Sequence, residues 1–226
     1  MPLAGHVVFD LDGVIVDSEP LHERATDEYL AGLGATVDQR LRDDMMGRRV
    51  RELTDAIAAR LGRPPDEVSA AREAIFWRLL REGEGPRAMP GLRRAIARLT
   101  GAGLPLAVAS SGTRAYVEHV LERLCVRGAF EAVVSGEDVV HGKPDPEIYL
   151  RAAALLGADP ADCAAIEDTF HGVAAARAAG MRVVAVPNAL TRTMDFSAAD
   201  AVVADLEAAA TEILGAVPRP RSGRHP

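Results

Sequence analysis

Two aspartates one residue apart, Asp10 and Asp12, stand at the end of the apolar run Val7-Val8-Phe9 and are followed at once by Gly13. An apolar run closed by a turn residue reads as a buried strand. A carboxylate at the end of such a strand sits on the rim of a sheet, where open α/β folds place their ligands. Two carboxylates there repel each other and resist desolvation unless a cation or a proton relieves them. The chemistry such a pair offers is a metal site, acid–base work, or both. An Asp-x-Asp-Gly sequence also closes ordinary loops and opens calcium-binding loops. The calcium reading fails on spacing. Counted from Asp10, the sixth and twelfth positions, where that loop needs Gly and Glu, hold Ile15 and Leu21.

The chain has 26 basic residues, of which 25 are arginine and one is lysine, Lys143. Arginine is a broad planar fork, whereas lysine is a compact charge on a thin stem. A single lysine in so arginine-rich a chain marks a place where a guanidinium does not fit. It lies in His141-Gly142-Lys143-Pro144-Asp145-Pro146, a turn-rich loop that enters a helix at Pro146.

Strands must carry these groups to one place. Apolar, β-rich runs recur at Val7–Leu11, Leu104–Ala109, Ala132–Val134, Ala164–Ile166, Val183–Val186 and Ala201–Val203. Helical patterns lie between the later ones, at Arg114–Leu124, Glu147–Leu156 and Gly172–Ala179. The alternation predicts βαβ units and a parallel sheet. Residues 19 to about 85 differ. They hold helix-like stretches at Leu21–Leu33, Val50–Leu61 and Asp66–Arg81, and no strand pattern. Phe76 and Trp77 fall on the last and read as core. The return passes through Gly83-Glu84-Gly85-Pro86, a linker composition. The expected fold class is α/β, a Rossmann-like parallel sheet core with an inserted α-helical subdomain. The core is assigned to 1–18 and 86–216, the insert to 19–85, and a disordered tail to 217–226.

In a parallel sheet the strand ends share one edge. The first strand delivers Asp10 and Asp12, the second Ser110-Ser111-Gly112, the third leads to Lys143, and the fourth ends at Glu167-Asp168. Serine caps helices and Glu-Asp opens them, so each group alone has a structural explanation. Four such groups on consecutive strands do not.

Composition narrows the partners. With 226 residues and 48% apolar content the chain can bury a sizeable core. The net charge of −7, without a basic block before residue 217, argues against nucleic acid. Cys125 and Cys163 form no CxxC pattern and read as reduced thiols of a cytoplasmic protein. No run approaches a membrane span, and no basic-then-apolar leader opens the chain. The expected partner is a small-molecule substrate, with a monomer or weak homodimer as the assembly.

The order of motifs resembles the haloacid dehalogenase-like hydrolases, a group of aspartate-nucleophile phosphatases and phosphosugar mutases. Phe9-Asp10-Leu11-Asp12-Gly13-Val14 is similar to the first motif, Ser110 to the second, Gly142-Lys143-Pro144-Asp145-Pro146 to the third and Glu167-Asp168 to the fourth. The helical insert resembles this group's mobile cap. The resemblance implies Asp10 as the nucleophile that takes the phosphoryl group, and Asp12 as the acid that protonates the leaving oxygen and then activates water. It implies Mg²⁺ bound by Asp10, Asp168 and the backbone carbonyl of Asp12, with Glu167 nearby. Ser110 would hold a phosphoryl oxygen and Lys143 would neutralise charge, with Ser111 and Gly112 beside the substrate. His22, Gly47, Arg48 and Arg49 are the insert's expected substrate contacts.

Asp12 separates this chain from dehalogenating members, which lack a carboxylate there. The absence of an insert lysine separates it from phosphonate-cleaving members. A β-phosphoglucomutase-like mutase is the alternative, supported by His22. It is opposed by Val50, where mutases place an arginine, and by the missing insert lysine. A non-catalytic magnesium and phosphate binder is the second alternative, opposed by Asp12, which binding alone does not need. The expected activity is therefore a phosphatase acting on a small phosphate ester, a sugar phosphate among the candidates.

Overall fold

The computed structural model describes residues 4–34, 50–83 and 85–216. The expected contacts Gly47, Arg48 and Arg49, and the tail 217–226, lie outside the described residues. The described chain divides into two compact units, Met1–Val16 with Ala88–Pro226, and Asp17–Arg87.

The first unit is built on six parallel strands. These are β1 (His6–Phe9), β4 (Leu106–Ala109), β5 (Ala132–Val134), β6 (Cys163–Glu167), β7 (Arg182–Ala185) and β8 (Ala201–Val202), in the order β5-β4-β1-β6-β7-β8. The strand order turns back at β1. The chain fills one side with β4 and β5, then crosses to the other for β6, β7 and β8. The crevice between the ends of β1 and its neighbours is thus a topological switch point, where open α/β sheets bind ligands. Register is tight there, with Phe9 opposite Val108 on one side and Ile166 on the other. The inner strands are short, apolar and covered on both faces, as all-parallel sheets require, while Val202 of the edge strand β8 is exposed. Val7, Val8, Phe9 and the whole of β6 are buried.

The expected first strand ran to Leu11, but β1 stops at Phe9. The Asp10 amide still donates to Ile166 O at 3.0 Å, and the carbonyl of Leu11 then accepts from the Ile15 and Val16 amides, which turns the chain out of the sheet. The turn depends on Gly13, whose φ of +79° is strained for any residue with a Cβ.

Helices α4 (Leu92–Gly101), α5 (Arg114–Arg123), α6 (Glu147–Leu155), α7 (Phe170–Ala178) and α8 (Leu206–Ala216) link or flank these strands. Thr113 caps α5 by accepting from the Tyr116 amide, and Thr169 caps α7 by accepting from that of Gly172. Both helices therefore begin at the edge where the strands end. No helix among the described residues is long and apolar enough to cross a membrane.

The second unit holds α1 (Glu19–Gly32), α2 (Val50–Leu61) and α3 (Pro65–Glu82). Tyr29, Leu30, Ile57, Ala58 and Val68 form its apolar core. Beside them Arg72 is buried, donating to Thr26 Oγ1 at 2.8 and 3.1 Å and to Thr54 Oγ1 at 2.7 Å. Phe76 is buried and stacks on His22 at 4.4 Å between centroids, while half-buried Trp77 lies under Arg81. Both rings belong to this unit's own packing. The short segments β2 (Val16–Asp17) and β3 (Arg87–Ala88) pair where the chain passes between the units.

Candidate active site

Lys143 is the centre of the site. Its ammonium donates to Asp10 Oδ1 at 2.6 Å, to Glu167 Oε1 at 2.6 Å and to the Ala109 carbonyl at 3.2 Å. An ammonium has three protons, and each has an acceptor. The acceptors come from the ends of β1, β6 and β4, so one cation ties three neighbouring strands together. The side chain is only 8% exposed and lies over the Tyr149 ring. Two adjacent carboxylates outweigh burial and hold the ammonium well above the ordinary lysine range.

Glu167 is wholly buried, and both its oxygens are occupied. Oε1 accepts from Lys143 and from the Tyr149 hydroxyl at 2.5 Å. Oε2 accepts from the Asp168 and Thr169 amides and the Thr169 hydroxyl. Gly172 leaves the room for it, since a Cβ there would fall about 2 Å from the carboxylate. A carboxylate so committed orients its neighbours rather than offering a free ligand atom.

Asp168 contrasts with it. Oδ2 accepts from Asn188 Nδ2 at 2.7 Å, but Oδ1 is buried with no hydrogen-bond partner among the described residues. A lone buried carboxylate oxygen is costly unless something else binds it. Ligand atoms of Asp10, Glu167 and Asp168 lie within 4.8 Å of one another. Burial, and then the mutual repulsion of the acids, pushes Asp168 up to about 9. Burial likewise raises Asp10 to about 7, although Lys143 pulls against it. With all three buried acids ionised, the one ammonium would leave two negative charges uncompensated. That deficit, and the orphaned Asp168 oxygen, fit a small hard dication with oxygen ligands. Gly13 packs against the same group, because a Cβ there would fall 2.1 Å from Asp168 Oδ2.

Ser110 is buried, and its Oγ accepts from the Gly112 amide at 3.0 Å, shaping the loop after β4. Ser111 is exposed and Gly112 half-buried. Asp12 lies just past β1, and its Oδ1 accepts from the Tyr116 hydroxyl at 2.6 Å. The fold thus brings Asp10, Asp12, Ser110, Lys143, Glu167 and Asp168 to one sheet edge. His22 lies in the other unit.

Sequence reasoning missed Tyr116, Tyr149, Thr169 and Asn188. Asn188 had a usable signal, since it follows β7 by three residues on the same sheet edge. The tyrosines had none, because each sits on a helix where an aromatic reads as core.

Residues 5–180 match the family described as haloacid dehalogenase-like hydrolase. The chain is 36% identical over 182 residues to hexitol phosphatase B of Escherichia coli, covering 80% of this chain and 82% of that protein. It is 32% identical over 187 residues to beta-phosphoglucomutase of Bacillus subtilis, again covering 80% and 82%. Its fold is similar to the crystal structure of CbbY from Rhodobacter sphaeroides in complex with xylulose-1,5-bisphosphate. The TM-score there is 0.71 at 29% identity, covering 90% of this chain and 95% of that one.

Proposed function

The chain belongs to the haloacid dehalogenase-like hydrolases, and we propose that it is a magnesium-dependent phosphatase of a small sugar phosphate. The observation that carries this reading is the buried Asp10–Lys143 pair, 2.6 Å apart, beside the partnerless Asp168 oxygen. Buried, mutually perturbed acids beside a cation at a sheet edge are the arrangement an active site uses.

Asp10 attacks phosphorus, and the bond to the sugar oxygen breaks as an aspartyl phosphate forms. Asp12 gives its proton to that oxygen, so the product leaves as a neutral alcohol. In the second step Asp12 takes a proton from water, whose oxygen attacks the phosphoryl group and restores the Asp10 carboxylate. Lys143 holds Asp10 Oδ1 in place throughout and offsets charge building on the phosphoryl oxygens. Ser110, at the helix-start edge, donates its hydroxyl to one of those oxygens. Asp10, Asp168 and the Asp12 carbonyl would hold Mg²⁺, which when bound shields the anionic ester from the carboxylates. Asn188 and Glu167 fix Asp168 and Lys143.

Sugar phosphates are favoured because the relatives include a hexitol phosphatase and a protein crystallised with a ketopentose bisphosphate. The likeness to beta-phosphoglucomutase and the presence of His22 support a mutase as the second reading. Phosphate release from hexitol phosphates and pentulose bisphosphates, with Mg²⁺ and with chelator, tests the first. Isomerisation of β-glucose 1-phosphate, run beside it, tests the second. Phosphate release by the Asp10→Asn protein at the native rate would overturn both.

A further inference from the structure

Asp12 does not stand alone at the rim. The Tyr116 hydroxyl donates to its Oδ1 at 2.6 Å, across 104 positions of sequence. Tyr116 lies in the first turn of α5, is 8% exposed, and its amide is held by the capping Thr113. Its ring also packs on the loop after β4, where a Cβ added to Gly112 would fall 2.7 Å from Tyr116 Cδ1. The amide of that same Gly112 donates to Ser110 Oγ. One side chain therefore touches both the phosphate-side loop and the carboxylate beside the leaving group. A tyrosine needed only for packing would be served as well by phenylalanine, since a buried hydroxyl costs free energy unless it is bonded.

We propose that Tyr116 is a positioning residue that fixes the Asp12 carboxyl for proton transfer to the leaving oxygen. The inference rests on the phosphatase reading above, in which Asp12 is that proton donor. Oδ1 accepts from a phenol that is itself locked by its helix cap and by the loop after β4. The carboxyl is thereby held in one orientation toward the ester. The proton passes from the Asp12 carboxyl to the sugar oxygen as its bond to phosphorus breaks. Tyr116 keeps its own proton throughout. The benefit is confined to substrates whose leaving group needs protonation. An alkoxide does, whereas p-nitrophenolate departs unaided.

The test measures kcat/KM, which reports the steps up to leaving-group departure, for two substrates in parallel. One is a hexitol phosphate and the other p-nitrophenyl phosphate, both with Mg²⁺. Tyr116→Phe keeps the ring and removes one oxygen. It is expected to lower kcat/KM for the hexitol phosphate on the order of 10-fold, the worth of a hydrogen bond to a charged group. The p-nitrophenyl phosphate value should stay within about 2-fold. In an Asp12→Asn background the same change should cost nothing further. Equal loss on both substrates would make Tyr116 a packing residue and overturn the proposal, and so would no loss on either. The ratio of the two substrates within one protein sample also cancels any partial unfolding. If Asp12→Asn discriminates between the substrates and Tyr116→Phe does not, this inference fails while the phosphatase reading stands. If Asp12→Asn itself loses both equally, the proton-donor role fails and takes the inference with it.

Discussion

Replacing Lys143 by arginine keeps the positive charge and tests whether its shape matters. The ammonium meets Asp10, Glu167 and the Ala109 carbonyl from a single nitrogen at 2.6, 2.6 and 3.2 Å. A guanidinium spreads its five donors over three nitrogens in a plane and cannot converge on three acceptors arranged around one point. The space is closed as well, since the side chain is 8% exposed and the Tyr149 ring centroid lies 5.0 Å from the ammonium. Forcing extra atoms into such a packed site typically costs about 1–3 kcal/mol of stability. Displacing Asp10 by about 1 Å costs on the order of 10²-fold in rate. That factor corresponds to about 2.7 kcal/mol in the barrier. The expected result is a folded Lys143→Arg protein, checked by circular dichroism, whose kcat for phosphate release falls at least that far. The chain uses arginine at every other basic position, so charge alone is no obstacle to it. Native turnover in this variant would refute the claim that the ammonium is held by geometry.

Metal-free protein should lose stability as pH rises from 6 to 9. Asp10 and Asp168 sit near 7 and 9 in the fold against 3.8 in the unfolded chain. The native state then binds more protons than the unfolded state, so their contribution is full below about pH 4 and is lost as pH passes through the folded values. Mg²⁺ takes the ionised forms, so the rise in melting temperature from chelator to Mg²⁺ should be larger at pH 9 than at pH 6. An increment independent of pH would argue against these acids as ligands. Gly13→Ala places a Cβ 2.1 Å from Asp168 Oδ2 at a φ of +79°, and should abolish both turnover and the Mg²⁺ increment in melting. In the helical unit, Arg72→Ala should lower stability by about 2–4 kcal/mol in urea titrations, whereas Arg72→Met, which refills the volume, should recover most of it.

Much of the site was legible because its residues mark the ends of strands. A carboxylate following an apolar run has few places to be except a sheet edge, so Asp10 and Glu167-Asp168 could be placed from local pattern alone. Lys143 was legible for another reason, its uniqueness among 26 basic residues. What stayed hidden depends on contacts far apart in sequence. Tyr116 meets Asp12 across 104 positions, and Tyr149 meets Glu167 across 18. On their helices both occupy positions where any aromatic satisfies the apolar face, and the hydroxyl that matters is silent in a periodicity argument. Arg72 was hidden by the opposite effect. A charged residue in an amphipathic helix reads as solvated, and only tertiary packing reveals two threonine hydroxyls awaiting it.

The charge count of the site explains why its two kinds of carboxylate are treated so differently. Glu167 is saturated by five donors and so is stabilised by the protein itself. Among the described residues, Asp168 receives one side-chain donor and keeps one oxygen bare. Were both saturated, the fold would be more stable and the edge would have no pull on a cation. Were neither saturated, Lys143 would lose the Glu167 anchor that holds it against Asp10. With Asp10, Glu167 and Asp168 ionised and Lys143 charged, a dication brings the set to neutrality. With that charge supplied, a phosphate dianion would approach without net repulsion from Asp10, the proposed nucleophile. The bare Asp168 oxygen is thus the part of the proposed site that a bound dication would relieve. It follows that a neutral Asp168→Asn protein should melt higher than the native chain in chelator at pH 9 and lose that advantage in Mg²⁺. If the variant instead melts lower under both conditions, the bare oxygen is not a store of strain and this account of the site fails.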